Sequence, residues 1–277
     1  MPDVLAHGIG GVQDLPVPRW LFYWGAAVVL VASFALLGSL WRHPLLARRA
    51  EGRALPGAFS RVVLGPLRVV VQLVSVGLFA LVWWAALVGD TDPYENLAPT
   101  WVYVIFWLGV PLLSVVLGNV WRALSPWRAL ADGFVWAWER SGRTAAPLAA
   151  YPARAGRWPA AVALLAFVAL ELAYSDPSSP RTIAFAIALY TYVALFGMVA
   201  FGRETWERSG EGFAVAFSYL ARIAPLHAVD GRVRLRWPLT GLAGAEPTPG
   251  SVAVVSVMLG SVLFDGYSRT TTWQDTL

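Results

Sequence analysis

Residues 69–89 read Val69-Val-Val-Gln-Leu-Val-Ser-Val-Gly-Leu-Phe-Ala-Leu-Val-Trp-Trp-Ala-Ala-Leu-Val-Gly89, an uncharged run that is polar only at Gln72 and Ser75. A hydrocarbon core about 30 Å thick takes on the order of 20 apolar helical residues to cross, so this run predicts a membrane span. Its flanks give the span a direction. Arg68 stands just before it and closes a block of Arg42, Arg48, Arg49, Arg53, Arg61 and Arg68; the link that follows carries Asp90, Asp92 and Glu95 and no arginine. Basic residues concentrate in cytoplasmic loops, which places Arg68 inside and Asp90 outside, with Trp83 and Trp84 near the outer boundary.

The same pattern continues along the chain. All 21 basic residues are arginine. A second block holds Arg122, Arg128, Arg140, Arg143, Arg154 and Arg157, and a third holds Arg203, Arg208, Arg222, Arg232, Arg234 and Arg236; only Arg19, Arg181 and Arg269 lie elsewhere. This split of 18 against 3 predicts an all-α, polytopic transmembrane helix bundle of about six spans, with both termini outside. The spans fall at about 20–41, 69–89, 101–118, 159–175, 182–202 and 247–264, within a single integral membrane domain over 1–277. In the third, Pro111 removes a backbone hydrogen bond and predicts a kink, with Ser114 as a local donor. Residues 1–19 lack a basic n-region and an h-region, so the first span is expected to act as the insertion signal.

Composition agrees with a lipid environment. The chain is 57% hydrophobic and 14% charged, with mean hydropathy +0.58, too little polar surface to cover a soluble globule. The pI near 9.7 comes from arginines beside spans, where anionic headgroups are the simpler partner, so nucleic acid is not expected. Zero cysteines exclude disulfides and thiolate metal sites. The absence of lysine beside abundant Ala, Arg and Gly points to a GC-rich, bacterial source.

Three cytoplasmic loops, 42–68, 119–158 and 203–246, contain most of the polar sequence. In Trp121 to Arg143, Trp121, Leu124, Trp127, Phe134, Val135 and Trp138 alternate with Arg122, Arg128, Asp132 and Arg140, predicting an interfacial helix. Glu204 to Ala224 predicts a second surface helix, with Phe213, Phe217, Leu220 and Ala224 opposed by Glu211, Ser218 and Arg222. Beyond it, Asp230-Gly231 is a type I′ turn signal, and Arg232, Arg234 and Arg236 alternate with Val233, Leu235 and Trp237. The expected product is a small hairpin whose three arginines meet lipid headgroups.

Candidate chemistry gathers on the outer side. His7 and Asp14 flank a glycine-rich stretch suited to an ordered cap over the bundle mouth; one His and one Asp are too few ligands for a metal. Glu171 is the only carboxylate inside a hydrophobic run. Such a group either marks an ion path or reaches water or a partner such as Arg181 or Arg269. Asp265, Ser268 and Arg269 stand in the densest polar cluster, which suits either a binding site or a capped turn with interfacial Tyr267 and Trp273. The expected cluster is therefore His7, Asp14, Glu171, Asp265, Ser268 and Arg269, with Arg269→Ala more damaging than Arg181→Ala. No catalytic residue, metal site or cofactor is predicted: the histidines, His7, His43 and His227, lie outside the spans, and without lysine there is no P-loop.

Three motifs, His7-Gly-Ile-Gly-Gly-Val-Gln-Asp-Leu-Pro16, Trp121-Arg-Ala-Leu-Ser-Pro-Trp-Arg128 and Phe264-Asp-Gly-Tyr-Ser-Arg-Thr270, together resemble a family of uncharacterised actinobacterial polytopic membrane proteins, some of which carry the name fenitrothion hydrolase. The resemblance spans most of the chain. It implies further hydrophobic spans beyond the Phe-Asp-Gly motif and, through that name, organophosphate ester hydrolysis; the residues themselves show neither a metal pair nor an activated nucleophile. The leading expectation is a non-enzymatic protein of the bacterial cytoplasmic membrane, a subunit of a membrane assembly or a transport-like scaffold, with lipids and other membrane subunits as partners. A membrane-embedded hydrolase or small-molecule binder with an outer-face site, and a secondary transporter, are the alternatives.

Overall fold

Helices occupy every apolar run that the sequence marks, in a computed structural model that describes residues 19–40, 51–245 and 247–275. In chain order they are α1 (Arg19–Leu40), then α2 (Gly57–Leu64) and α3 (Pro66–Val88), divided at Gly65. The next unit is continuous: α4 (Leu97–Thr100), a π-helical stretch (Trp101–Gly109) and α5 (Val110–Leu117). Beyond it come α6 (Trp121–Leu124), α7 (Pro126–Arg140), α8 (Trp158–Leu172), α9 (Pro180–Phe201), α10 (Arg203–Ser209), α11 (Gly212–Leu220), α12 (Ser251–Ser268) and α13 (Thr271–Gln274). Four of these units, Gly57–Val88, Leu97–Leu117, Pro180–Phe201 and Ser251–Ser268, are long and apolar enough to cross a membrane. Two further apolar helical runs, Tyr23–Leu36 and Trp158–Leu172, are shorter.

The third unit shows what Pro111 does. A proline cannot donate to the carbonyl four residues back, and its ring crowds that turn. The helix answers by widening into π geometry over the nine residues before Val110, with Pro111 in the first turn of α5. Ser114 does not act as the expected donor: it is fully buried and its Oγ has no hydrogen-bond partner, while its carbonyl accepts from Gly118 N–H at 3.1 Å.

Two loop segments expected at the surface instead pack inside the bundle. The sequence Gly-Phe-Ala-Val-Ala-Phe of α11 is apolar all round, and a helix without a polar face is buried rather than interfacial. Gly212 to Phe217 are all buried, packed against α5, α6, α8 and α12. The 121–143 stretch breaks at Ser125, whose side chain caps α7 by accepting from Arg128 N–H at 3.2 Å. Trp121, Trp127 and Arg128 are buried; only the distal part of α7, with Phe134, Trp136 and Trp138 exposed, keeps the expected interfacial character. Gly197 on α9 admits α10, because a Cβ there would collide with the indole of Trp206.

Rings fill the space between these elements. Phe106 meets Phe213 edge-on at 4.7 Å, Trp107 meets Phe167 at 4.8 Å, and Trp121 meets Phe217 at 5.6 Å. In lipid, helices gain little from hydrophobicity and associate through packing, where each such aromatic contact is worth about 0.5–1.5 kcal/mol.

The predicted hairpin is present. β2 (Leu226–Val229) pairs antiparallel with β3 (Arg232–Leu235), and Asp230 and Gly231 take the positive φ values, 50° and 70°, that a type I′ turn requires. A third strand, β1 (Arg53–Ala54), pairs with the other edge of β3, giving the order β1-β3-β2. Val233 is buried, and its N–H donates to Ser60 Oγ of α2 at 3.0 Å.

Candidate functional site

The cluster expected at the outer face is only partly described: His7 and Asp14 lie outside the described residues. Of the rest, Asp265 and Ser268 are helical, because α12 runs on to Ser268 rather than ending before Asp265. Arg269 Nε donates to Asp265 Oδ1 at 3.2 Å, one turn away. Ser268 Oγ donates to the Asp265 carbonyl at 3.1 Å. Thr270 caps α13 by accepting from Trp273 N–H, and the Trp273 indole packs on Phe264 and Tyr267 at 5.7 and 5.4 Å. Glu171 of α8 is within electrostatic reach of Asp265 and is hydrogen-bonded by Trp107. Neither expected arginine partner reaches it: Arg269 pairs with Asp265, and Arg181 donates to the Ala86 and Gly89 carbonyls at 2.6 and 3.3 Å, capping the end of α3.

A larger polar centre lies at the arginine-rich end, and the sequence reading missed it. Arg128 is only 2% exposed. Its Nη1 donates to Glu207 Oε2, its Nη2 donates to Glu204 Oε1 at 2.5 Å, and its Nε lies 3.8 Å from Asp132 Oδ2. Around it, Arg122 donates to Glu204 Oε2 at 2.6 Å, and Arg68 and Gln72 donate to Asp132 Oδ2 at 3.2 and 3.1 Å. Arg203 also pairs with Asp132. Four guanidinium groups thus face three carboxylates, and the polar residues of the 69–89 run, Gln72 and Ser75, face this insertion, Ser75 donating to the Leu124 carbonyl.

Behind the network, Glu211 is fully buried and caps α11. It accepts from the Tyr190 hydroxyl, from Trp121 Nε1 at 3.2 Å, and from Phe213 and Ala214 N–H at 3.1 and 2.6 Å. Burial pushes its carboxyl above the ordinary range against the pull of these donors. Glu207 is raised to about 7, chiefly by burial, with the negative charge of Glu211 and Glu204 adding to it and Arg128 and Arg122 opposing it. Burial also pushes Glu204 upward, but its bonds to Arg128 and Arg122 win and hold it below its usual value.

One signal could have exposed this centre. Glu204, Glu207 and Glu211 recur at three- and four-residue spacing, which puts carboxylates on one helical side, and the Trp121-to-Arg128 motif supplies their counter-charge. On the sheet, Arg232 is exposed and Arg234 donates to the Glu51 carbonyl at 3.4 Å. Arg236 instead caps the end of α11, donating to the Ala224, Ala221 and Arg222 carbonyls at 3.1–3.2 Å. Among the described residues no three His, Asp or Glu side chains are arranged to hold a metal ion.

Beside these polar centres, α3, the π-helical stretch with α5, α8 and α9 enclose a groove of about 1680 Å³. Its walls are almost wholly apolar, with Val74, Phe79, Leu112, Phe167 and Leu189 among them. Comparison of the chain with protein-family models, with curated proteins and with solved structures found no match.

Proposed function

We propose that the chain is a non-enzymatic polytopic membrane protein, a subunit of a membrane assembly, that receives a transmembrane helix of another subunit in its apolar groove. The groove carries this reading. Four turns of a helix about 10 Å across and 22 Å long fill roughly 1,700 Å³, close to the volume available. Polar side chains supply almost none of the wall, which suits an apolar helix better than a water-soluble substrate. The polar centre supports the same view, since its carboxylates and guanidiniums are largely taken up in bonds to one another.

In this proposal α1 and α8 also cross the bilayer, giving six crossings of a bacterial cytoplasmic membrane with both termini outside. With no native cysteine, Asp92→Cys and Ser178→Cys should label from outside with an impermeant reagent, while Ala145→Cys and Arg232→Cys stay silent. A photo-crosslinking residue at Leu112 or Leu189 should capture a membrane polypeptide in native membranes, and one at Val262 of α12 should not. Capture of lipid alone at both groove positions would remove the basis for the subunit reading. An outer-face binding or hydrolytic site is the second reading, favoured by one observation, the approach of the Glu171 and Asp265 carboxylates.

A further inference from the structure

A second cavity, about 620 Å³, opens at the arginine-rich end beyond the ion network. Its walls come from the start of α6, the 151–157 segment, α10, α11 and the residues leading into α12. Four arginines line it, Arg122, Arg157, Arg208 and Arg222, against two carboxylates, Glu204 and Glu207. The excess of guanidinium over carboxylate selects an anion, and the volume suits a small organic ligand.

The lining groups are not equally engaged. Arg122 is paired with Glu204, and Arg157 is held by the Tyr219 hydroxyl and by Ser251 Oγ. Arg222 makes one long bond, 3.3 Å, to the Gly241 carbonyl. Arg208, an exposed residue of the lining, makes no ion pair or side-chain hydrogen bond among the described residues. On the acidic side, Glu207 Oε2 accepts from Arg128, but Oε1 is buried and accepts from nothing. A buried acceptor without a donor costs about 1–3 kcal/mol, so the wall is complete only when a donor arrives.

The surrounding fold adds to the positive potential. The residues leading into α8 and α12 meet at this cavity, where Arg157 N–H donates to the Pro249 carbonyl at 2.7 Å, and neither helix start is capped by a side chain. Helix N-termini carry partial positive charge, and the planar forks of Arg208 and Arg222 match a phosphate. The unpaired carboxylate oxygen would repel that phosphate and accept a hydroxyl. We propose that this cavity binds a hydroxyl-bearing phosphate ester, its phosphate held by Arg208 and Arg222 and a hydroxyl donated to Glu207 Oε1.

Such a group is found both in a phospholipid headgroup and in a free polyol phosphate. The full chain, purified in phosphate-free detergent, is titrated with glycerol 3-phosphate and with methyl phosphate by calorimetry. In parallel, retention of phosphatidylglycerol and of phosphatidylmethanol, which has the same charge without the hydroxyls, is measured by native mass spectrometry. The hydroxylated member of at least one pair should bind at least about tenfold more tightly than its methyl counterpart. A preference within the lipid pair identifies a headgroup, and one within the soluble pair identifies a free ester. Arg208→Gln and Arg222→Gln should each weaken that binding about tenfold with unchanged thermal melts, and Arg143→Gln, outside the cavity, should leave it intact. Equal binding of hydroxylated and methyl members in both pairs, binding of none of them, or indifference to Arg208→Gln and Arg222→Gln would overturn the assignment.

Discussion

At the arginine-rich end Arg128 is buried and meets Glu207, Glu204 and Asp132 at once, whereas at the acidic end Arg269 meets, among the described residues, Asp265 alone, with the two side chains 44% and 46% exposed. Both are arginine–carboxylate contacts, but their energetics differ. An exposed pair gains little because water screens it and two side chains must be ordered. A buried group of charges gains more from mutual attraction, yet each member depends on the others, since a lone buried charge cannot be resolvated. The arginine count from which an orientation is expected therefore says nothing about where an arginine matters for stability.

The comparison breaks most decisively at Arg128. Arg128→Ala leaves Glu207 and Glu204 facing each other without the cation between them, and should cost about 3–5 kcal/mol, the range for removing one partner of a buried pair. The expected outcome is loss of monodisperse protein after detergent extraction, or a melt lowered by many degrees. Arg128→Lys should recover only part of it, because an ammonium cannot span three carboxylates as a guanidinium fork does. A melt unchanged by Arg128→Ala would place the stability of this end in the aromatic packing instead.

A subtler test uses pH. Glu207 rises from its ordinary 4.5 to about 7 on folding. A carboxyl raised in this way favours the folded state while protonated, so its contribution is whole below about 4.5 and is lost as pH climbs through about 7. Glu204, held below its usual value, acts in the opposite sense and only in more acidic solution. Glu207→Gln should therefore flatten the fall in melting temperature across this window relative to the unaltered chain. Parallel curves for the two proteins would mean that Glu207 is already ionised throughout.

How much of this was legible depends on which physics each segment follows. The apolar runs were readable because lipid imposes one rule, sustained hydrophobicity over a bilayer's thickness, and helices lie at all six. The Asp230-Gly231 turn was readable because its dihedrals demand those residues. The interior course of α11 is not legible in the sequence because Glu211, Ser218 and Arg222 mimic a polar face; Glu211 is in fact the helix cap, satisfied by four donors. Strand β1 has two residues, too short to show any alternation. The ion network was hidden because Arg68, Arg128 and Glu204 are far apart in sequence, and only the packing of α6, α7 and α10 against α3 and α9 brings them together.

The smallest expected effect sets Arg181 against Arg269, and the contacts of the two among the described residues favour the opposite order to the one expected from the sequence. Arg181 binds the carbonyls of Ala86, in the last turn of α3, and of Gly89 just beyond it, groups that the end of a helix leaves without internal partners. Its replacement by alanine should cost about 1 kcal/mol, the ordinary net worth of a hydrogen bond, since the position is too exposed for the full charge-assisted gain. Arg269→Ala removes one exposed contact to Asp265 and should cost about 0.5 kcal/mol or less. At roughly 2–4 °C per kcal/mol for a chain of this size, paired melts can separate the two. A larger loss from Arg269→Ala would require a partner beyond Asp265, and the carboxylate that the outer cluster still offers it outside the described residues is Asp14. Asp14→Asn should then reproduce the loss on its own and add nothing to Arg269→Ala, since two substitutions that break one interaction are not additive.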